Sequence, residues 1–258
     1  MAGASGPPGL SLTSIQPPGQ QALTSPPAAS LVSPEDGPWI AGWLSAARFS
    51  RYVAHAGGDR SRARALYEWN AQVGAAFQRD LAYVEVGLRN HYDEAAQNWG
   101  GAGHWLLDGY RTVFSPLFRT KRGSGGARIA VDVNVKPRQL VEQAIQAAGG
   151  PSAKPGKVVA ELSLGFWRYL SSSAHEKTLW VPYLHRAFPP GTARVYVDER
   201  VGRLHSLRNR VAHHEHLLNE NLPGRSGDII ELAAALHPEL AAHIRATSVI
   251  PALLAQQP

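Results

Sequence analysis

Cysteine is absent from all 258 residues. That removes disulfides and thiolate metal sites from consideration and suits a reducing compartment. No apolar run approaches the roughly 20 residues needed to span a bilayer. The N-terminus lacks the charged and apolar regions of a signal peptide, so a cytoplasmic protein outside the membrane is expected. No alternation of apolar and polar residues is long enough to predict a half-buried strand. No glycine-rich phosphate cradle follows a strand and no nucleophile elbow occurs, which argues against nucleotide-binding α/β proteins and serine hydrolases. Charge is missing from residues 1–34, which are dominated by Pro, Gly, Ser and Ala. That composition buries too little apolar surface to offset ordering, and residues 1–36 are expected to form a disordered tail.

What remains is rich in core-forming residues. With 44% hydrophobic residues and seven Trp, residues 37–258 are long enough for one helical domain with a substantial core. Asp59 is a candidate N-cap after Gly57-Gly58. From Arg60 to about Trp99, apolar residues recur every three or four positions without a proline. This predicts one very long helix of roughly 60 Å, with Gly74 and Gly87 as candidate kinks and Gly100-Gly101 as its end. Shorter helices are predicted over Pro137–Ala148, Lys157–Ser171 and a segment between Pro182 and Pro189, with two more starting near Ser226 and Pro238. Trp and Phe at helical spacing are read as core rather than base-stacking platforms.

The net charge of +6 permits a polyanionic partner, and its placement is uneven. Between Arg111 and Lys157, nine Lys and Arg face only Asp132 and Glu142. Within this segment Arg119, Lys121, Arg122 and Arg128 sit in a Gly/Arg-rich stretch expected to be a loop, either solvated or contacting RNA phosphates.

The most informative run is Leu207-Arg208-Asn209-Arg210-Val211-Ala212-His213-His214-Glu215. It sets arginine, asparagine and histidine in a helical apolar stripe (Val197, Val201, Leu204, Leu207, Val211, Leu218) on a helix expected from Thr192 to Leu218. Desolvating an unpaired guanidinium costs several kcal/mol, so Arg208 either has a carboxylate partner or faces a cleft that takes an anion. Asn209 and His213 share a helical face, where the amide can orient one imidazole nitrogen. Arg208 and His213 are offset by roughly 140° and about 7.5 Å, so the long arginine must curl, or a second copy must bring two Arg/His sets together.

The run Arg208 to His213 resembles the R-(x)4-H motif, with Asn in second place, of HEPN ribonucleases. Its flanks, Leu204-His205-Ser206-Leu207 and His214-Glu215, are similar to the Abi-like (abortive infection) branch. Leu66-Tyr67-Glu68-Trp69-Asn70, Glu85-Val86-Gly87-Leu88-Arg89-Asn90, Glu161 to Trp167 and Thr178-Leu179-Trp180 follow in the order of that branch, covering roughly residues 39–257. The resemblance implies an all-α HEPN-type bundle. It implies a metal-independent endoribonuclease without cofactor, in phage defence or as the toxin of a toxin-antitoxin pair. RNA would be the substrate, a homodimer the working form and a protein or RNA antitoxin a further partner. Arg208, Asn209 and His213 would be catalytic, with Glu85, Arg89, Arg210, His214 and Glu215 in support.

Histidine supplies acid or base near neutrality and arginine charges the transition state, which together replace a metal. The alternative from another class is an inert bundle that binds RNA or a protein. In that case Arg208, Asn209 and His213 would form a buried network with Glu85 or Glu161. A metal site at His213, His214, Glu215 and His216 is disfavoured, because adjacent histidines point to different faces and no H-E-x-x-H order is present.

Overall fold

A computed structural model describes residues 38–122 and 125–258. The expected tail, residues 1–36, lies outside them. Helix α3 (Arg60–Ala96) is the spine, its 37 residues spanning about 55 Å. Leu66, Trp69, Val73, Phe77, Leu81, Val84, Leu88 and Tyr92 form one buried stripe along it. Asp59 caps its start by accepting from the Arg62 amide at 3.0 Å, which satisfies one of the free N–H groups of the first turn. The helix runs unbroken through both glycines. Gly87 is instead a point of close approach, where a side chain would stand 3.3 Å from Leu240.

Helices α1 (Pro38–Leu44) and α2 (Ala46–His55) fold back on the start of α3. There Ile40, Leu44, Phe49, Tyr52, Ala56, Ala63 and Leu66 form a small separate core. The larger core gathers the rest of α3 with the helices after it: α4 (Tyr110–Val113), α5 (Val135–Ala147), α6 (Pro155–Glu161), α7 (Leu164–Leu170), α8 (Arg194–Ala212), α9 (Leu222–Leu236), α10 (Pro238–Thr247) and α11 (Ile250–Ala255). Short 3₁₀ and π turns fill Ser173–Ala187. Buried indoles find acceptors, as their N–H groups require: Trp69 donates to the Leu253 carbonyl (2.7 Å), Trp105 to Asp93 (2.6 Å) and Trp167 to the Leu162 carbonyl (3.0 Å).

Three sequence expectations are corrected. The segment from Arg119 to Arg128 is a hairpin rather than a loop: β1 (Phe118–Arg122) pairs antiparallel with β2 (Arg128–Asp132), in the register Arg122 opposite Arg128 and Phe118 opposite Asp132. Its periodicity is invisible because the ribbon has no buried face, so neither side needs to be apolar. The hairpin is held at its base. Asp132 accepts from the Leu117 and Asn134 amides and from Arg138 (2.6 Å), while the Asn134 side chain donates to Ser115 and accepts from Nε2 of the buried His175 (2.7 Å). Tyr169 donates its hydroxyl to the Val133 carbonyl.

The helix expected over Lys157–Ser171 is two helices. The chain is extended at Leu162, and its interrupted hydrogen bonding is replaced by Trp167 at the Leu162 carbonyl and by Glu85, which accepts from the Leu164 amide at 2.7 Å. The Arg/His helix α8 stops at Ala212 rather than Leu218. His214 takes φ +52°, its amide reaches the Val211 carbonyl (3.0 Å), and the Glu215 amide reaches the Arg210 carbonyl (2.8 Å). This is a Schellman closure with histidine where glycine is the usual residue.

Candidate functional site

Helix α8 carries five arginines, and their partners separate them. Arg194 meets Asp198 (3.2 Å) and Glu176 (3.4 Å); Arg200 meets Glu231; Arg203 grips Asp228 through two hydrogen bonds of 2.8 and 2.6 Å. Burial works to raise the Asp228 carboxyl, but Arg203 and Arg225 together hold it below the usual range. The Arg200 and Arg203 pairs fasten α8 to α9. Arg210 meets Glu220 (3.3 Å) and Glu215 (3.6 Å) and donates to the His216 carbonyl (3.0 Å), so it holds the turn after α8 rather than facing solvent.

Arg208 is different. Among the described residues it has no carboxylate partner, and its Nε is buried without a hydrogen bond. Of the two outcomes the sequence allows, the paired one is therefore not found. The guanidinium lines a groove of about 680 Å³ between α3, the end of α8 and the turn that follows. Gly74 lies on the α3 wall, where an added Cβ would stand 3.9 and 4.0 Å from Val211 and Leu217. Tyr67, Asn70 and Gln78 of α3 add polar groups, Arg48 of α2 adds a cation, and His214 and Glu215 close one side. Asn70 fixes the turn by accepting from the Leu217 amide (2.7 Å) and donating to the Glu215 carbonyl. A second hollow continues past Arg48, His214 and Glu215 to Arg51, Tyr52 and His216. His216 is held below the ordinary histidine value by burial, then by Arg210, Arg51 and His55.

The other residues of the run are spread out. His213 is the C-cap of α8, exposed and outside the set that lines the groove. Asn209 turns its amide to Nε2 of His205 (3.2 Å) rather than to His213, whose backbone N–H donates to the Asn209 carbonyl (2.9 Å). His205 lies near Arg168, and its pKa is lowered by burial and then by Arg168 and Arg208. Glu85 is committed to the start of α7, and the Nε of Arg89 is buried and unpartnered. Neither Glu85 nor the exposed Glu161 joins Arg208. Sequence reasoning missed the α3 wall and Arg48. Tyr67 and Asn70 of that wall lie in the segment Leu66 to Asn70 that the resemblance singled out, but nothing in the sequence joined them to Arg208.

Arg119, Lys121, Arg122 and Arg128 are all exposed on the hairpin, two on each face by register. Arg119 bends to the Ala174 carbonyl (3.3 Å). The hairpin base touches the chain near the first turn of α8, where Arg194 reaches the Ser171 carbonyl, whereas Arg208 and Val211 stand at the last turns. Arg194 and Val211 stand about 25 Å apart along α8. No three His, Asp or Glu side chains converge as metal ligands among the described residues, and no described helix is long and apolar enough to cross a membrane.

No protein-family model, curated protein or solved structure matches this chain.

Proposed function

We propose that this chain is a metal-independent endoribonuclease of the HEPN type, working as a homodimer in phage defence or as a toxin held by an antitoxin. The observation that carries the reading is Arg208, a half-buried cation without a carboxylate, set in a groove beside Arg48 and His214. A half-buried guanidinium without a carboxylate is stabilised by an anion, and an RNA phosphate supplies one. In the reaction an imidazole takes the proton of the 2′-hydroxyl, and the 2′-oxygen attacks the adjacent phosphorus. Arg208 balances the charge of the phosphorane-like state, and a protonated imidazole returns a proton to the departing 5′-oxygen. The products are a 2′,3′-cyclic phosphate and a 5′-hydroxyl. His213 is exposed at the end of α8, and in this reading a second copy reaches it, so that two chains divide the acid and base roles.

The test is to incubate the purified protein with total RNA in EDTA and map the cut ends. Cyclic phosphate ends that vanish in both Arg208→Ala and His213→Ala are expected, and a DNA strand of the same sequence should survive. Cleavage of that DNA, or loss of RNA cleavage in EDTA, sinks the mechanism. One observation favours a second reading, an inert bundle that binds RNA or a protein. Asn209 is engaged by His205, and His213 stands outside the groove.

A further inference from the structure

Trp at helical spacing is expected to be core, yet Trp39 and Trp43 are 48% and 61% exposed. They lie one turn apart on α1 and stack, with centroids 5.9 Å apart and planes 16° apart. Trp43 meets the edge of Tyr67 (5.4 Å), and Tyr67 meets Tyr52 edge-on (5.3 Å). Tyr67 lines the main groove and Tyr52 its continuation. A ladder of aromatic rings therefore climbs from the groove wall to the surface, with Arg48 and Arg51 of α2 exposed beside it and without carboxylate partners among the described residues.

Exposing two indoles to water forgoes burial that each could contribute elsewhere in the fold. Large rings flanked by cations at the mouth of a basic groove suit one ligand chemistry, a polyanion that carries flat apolar rings along its length. We propose that Trp43, backed by Trp39 and Tyr67, is a stacking platform for unpaired nucleobases, with Arg48 and Arg51 holding the flanking phosphates. Duplex bases are already stacked on one another and cannot lie on the indole, so the groove selects single strands. The inference rests on the nucleic-acid reading of the Arg208 groove and extends it to the strandedness of the ligand and to an entrance on α1 and α2.

The experiment measures binding of the full chain to a fluorescein-labelled, uncleavable 2′-O-methyl RNA single strand, to the same strand with abasic sites, and to its duplex. Affinity should fall roughly 5- to 100-fold in Trp43→Ala, the range reported by alanine substitution at stacked bases. It should recover in part in Trp43→Phe and be matched in the wild type by the abasic strand. Arg48→Ala/Arg51→Ala should instead lower the slope of log affinity against log salt by about 1.4. Equal affinity of wild type and Trp43→Ala for the single strand overturns the platform. So does a wild type that binds duplex as tightly as single strand, or a Trp39→Ala/Trp43→Ala variant that loses a dimer and keeps its affinity, which assigns the patch to a second copy. RNA cleavage that survives Trp43→Ala alongside unchanged affinity leaves the ribonuclease reading standing and removes the platform. Trp43-dependent binding without any cleavage does the reverse.

Discussion

The two cationic surfaces of this molecule use the same residue types to different ends. In the groove, Arg208 and Arg48 stand in a concavity with apolar walls, and Arg208 has its Nε out of water. On the hairpin, Arg119, Lys121, Arg122 and Arg128 project from both faces of a ribbon with no core beneath it. A cleft with a surplus of cations between low-dielectric walls focuses its field on a bound ion, while an exposed ribbon spreads its field and is screened by salt within about 10 Å. The comparison teaches that the number of positive charges, which made the Arg111–Lys157 segment conspicuous, is a poorer guide than whether each charge already has a partner and a wall.

The sharpest break between the surfaces is Arg208→Ala. RNA cleavage should fall by roughly 10²- to 10⁴-fold, the range for loss of a group acting only in the transition state, with the melting temperature little changed because no ion pair is lost. Arg203→Ala on the same helix should do the opposite, lowering the melting temperature because the half-buried Asp228 is left with Arg225 alone, and sparing cleavage. Comparable activity losses in both variants would merge the groove with the general stability of α8.

The hairpin's attachment is tested by acid. His175 is held down to about 4 by burial, against an ordinary value of 6.5. Its folded pKa lies below the unfolded one, so as pH falls from 6.5 to 4 the unfolded chain gains a proton that the folded chain refuses, and stability drops with pH in that window. The loss is up to about 3 kcal/mol. A thermal melt series from pH 7 to 4 should show it, and His175→Gln should flatten it. The carboxyls of Asp132 and Asp228 are lowered instead, and they weaken the fold only below the usual carboxylate value near 3.8. A melt curve that is flat between pH 6.5 and 4 in the wild type would show that His175 does not govern the hairpin's base.

A smaller effect is expected at His214, whose φ of +52° costs an L-residue about 1 kcal/mol relative to glycine. His214→Gly should therefore raise the melting temperature by a few degrees while lowering RNA cleavage or affinity, since it empties one side of the groove. A more stable variant with full activity would reduce His214 to an accident of the turn. Neutralising Arg119, Lys121, Arg122 and Arg128 together should leave folding within about 0.5 kcal/mol of wild type. If the hairpin holds RNA phosphates, it should also remove about 0.7 from the salt slope for each contact. An unchanged slope would leave the groove as the footprint.

Periodicity made much of the scaffold legible. The stripe from Leu66 to Tyr92 and the stripe Val197, Val201, Leu204, Leu207 are both buried as their spacing implies. What stayed hidden was decided by contacts between distant residues. The break at Leu162 depends on Glu85, 79 positions before the amide it caps. The end of α8 depends on a left-handed histidine and on Asn70 holding Leu217, neither of which leaves a glycine or proline in the text. Arg208 could be singled out from its neighbours' polarity. That it would lack a carboxylate while Arg200, Arg203 and Arg210 each have one depends on α9 and the turn before it, which supply Glu231, Asp228 and Glu220.

The separate cluster under α1 and α2 has a consequence for how the molecule opens. Its buried residues come from α1, α2 and the first turns of α3, and Leu218 is a half-buried side chain packed against both this cluster and the main one. Cooperativity passes through shared packing, so two clusters joined at so few points exchange their amide hydrogens as separate units. Amides of α2 should then exchange well before those of α3 between Val73 and Tyr92, at conditions where the bundle as a whole stays closed. Breathing of this corner alone would widen or narrow the entrance to the Arg208 groove without disturbing the helices that hold Arg208 in place.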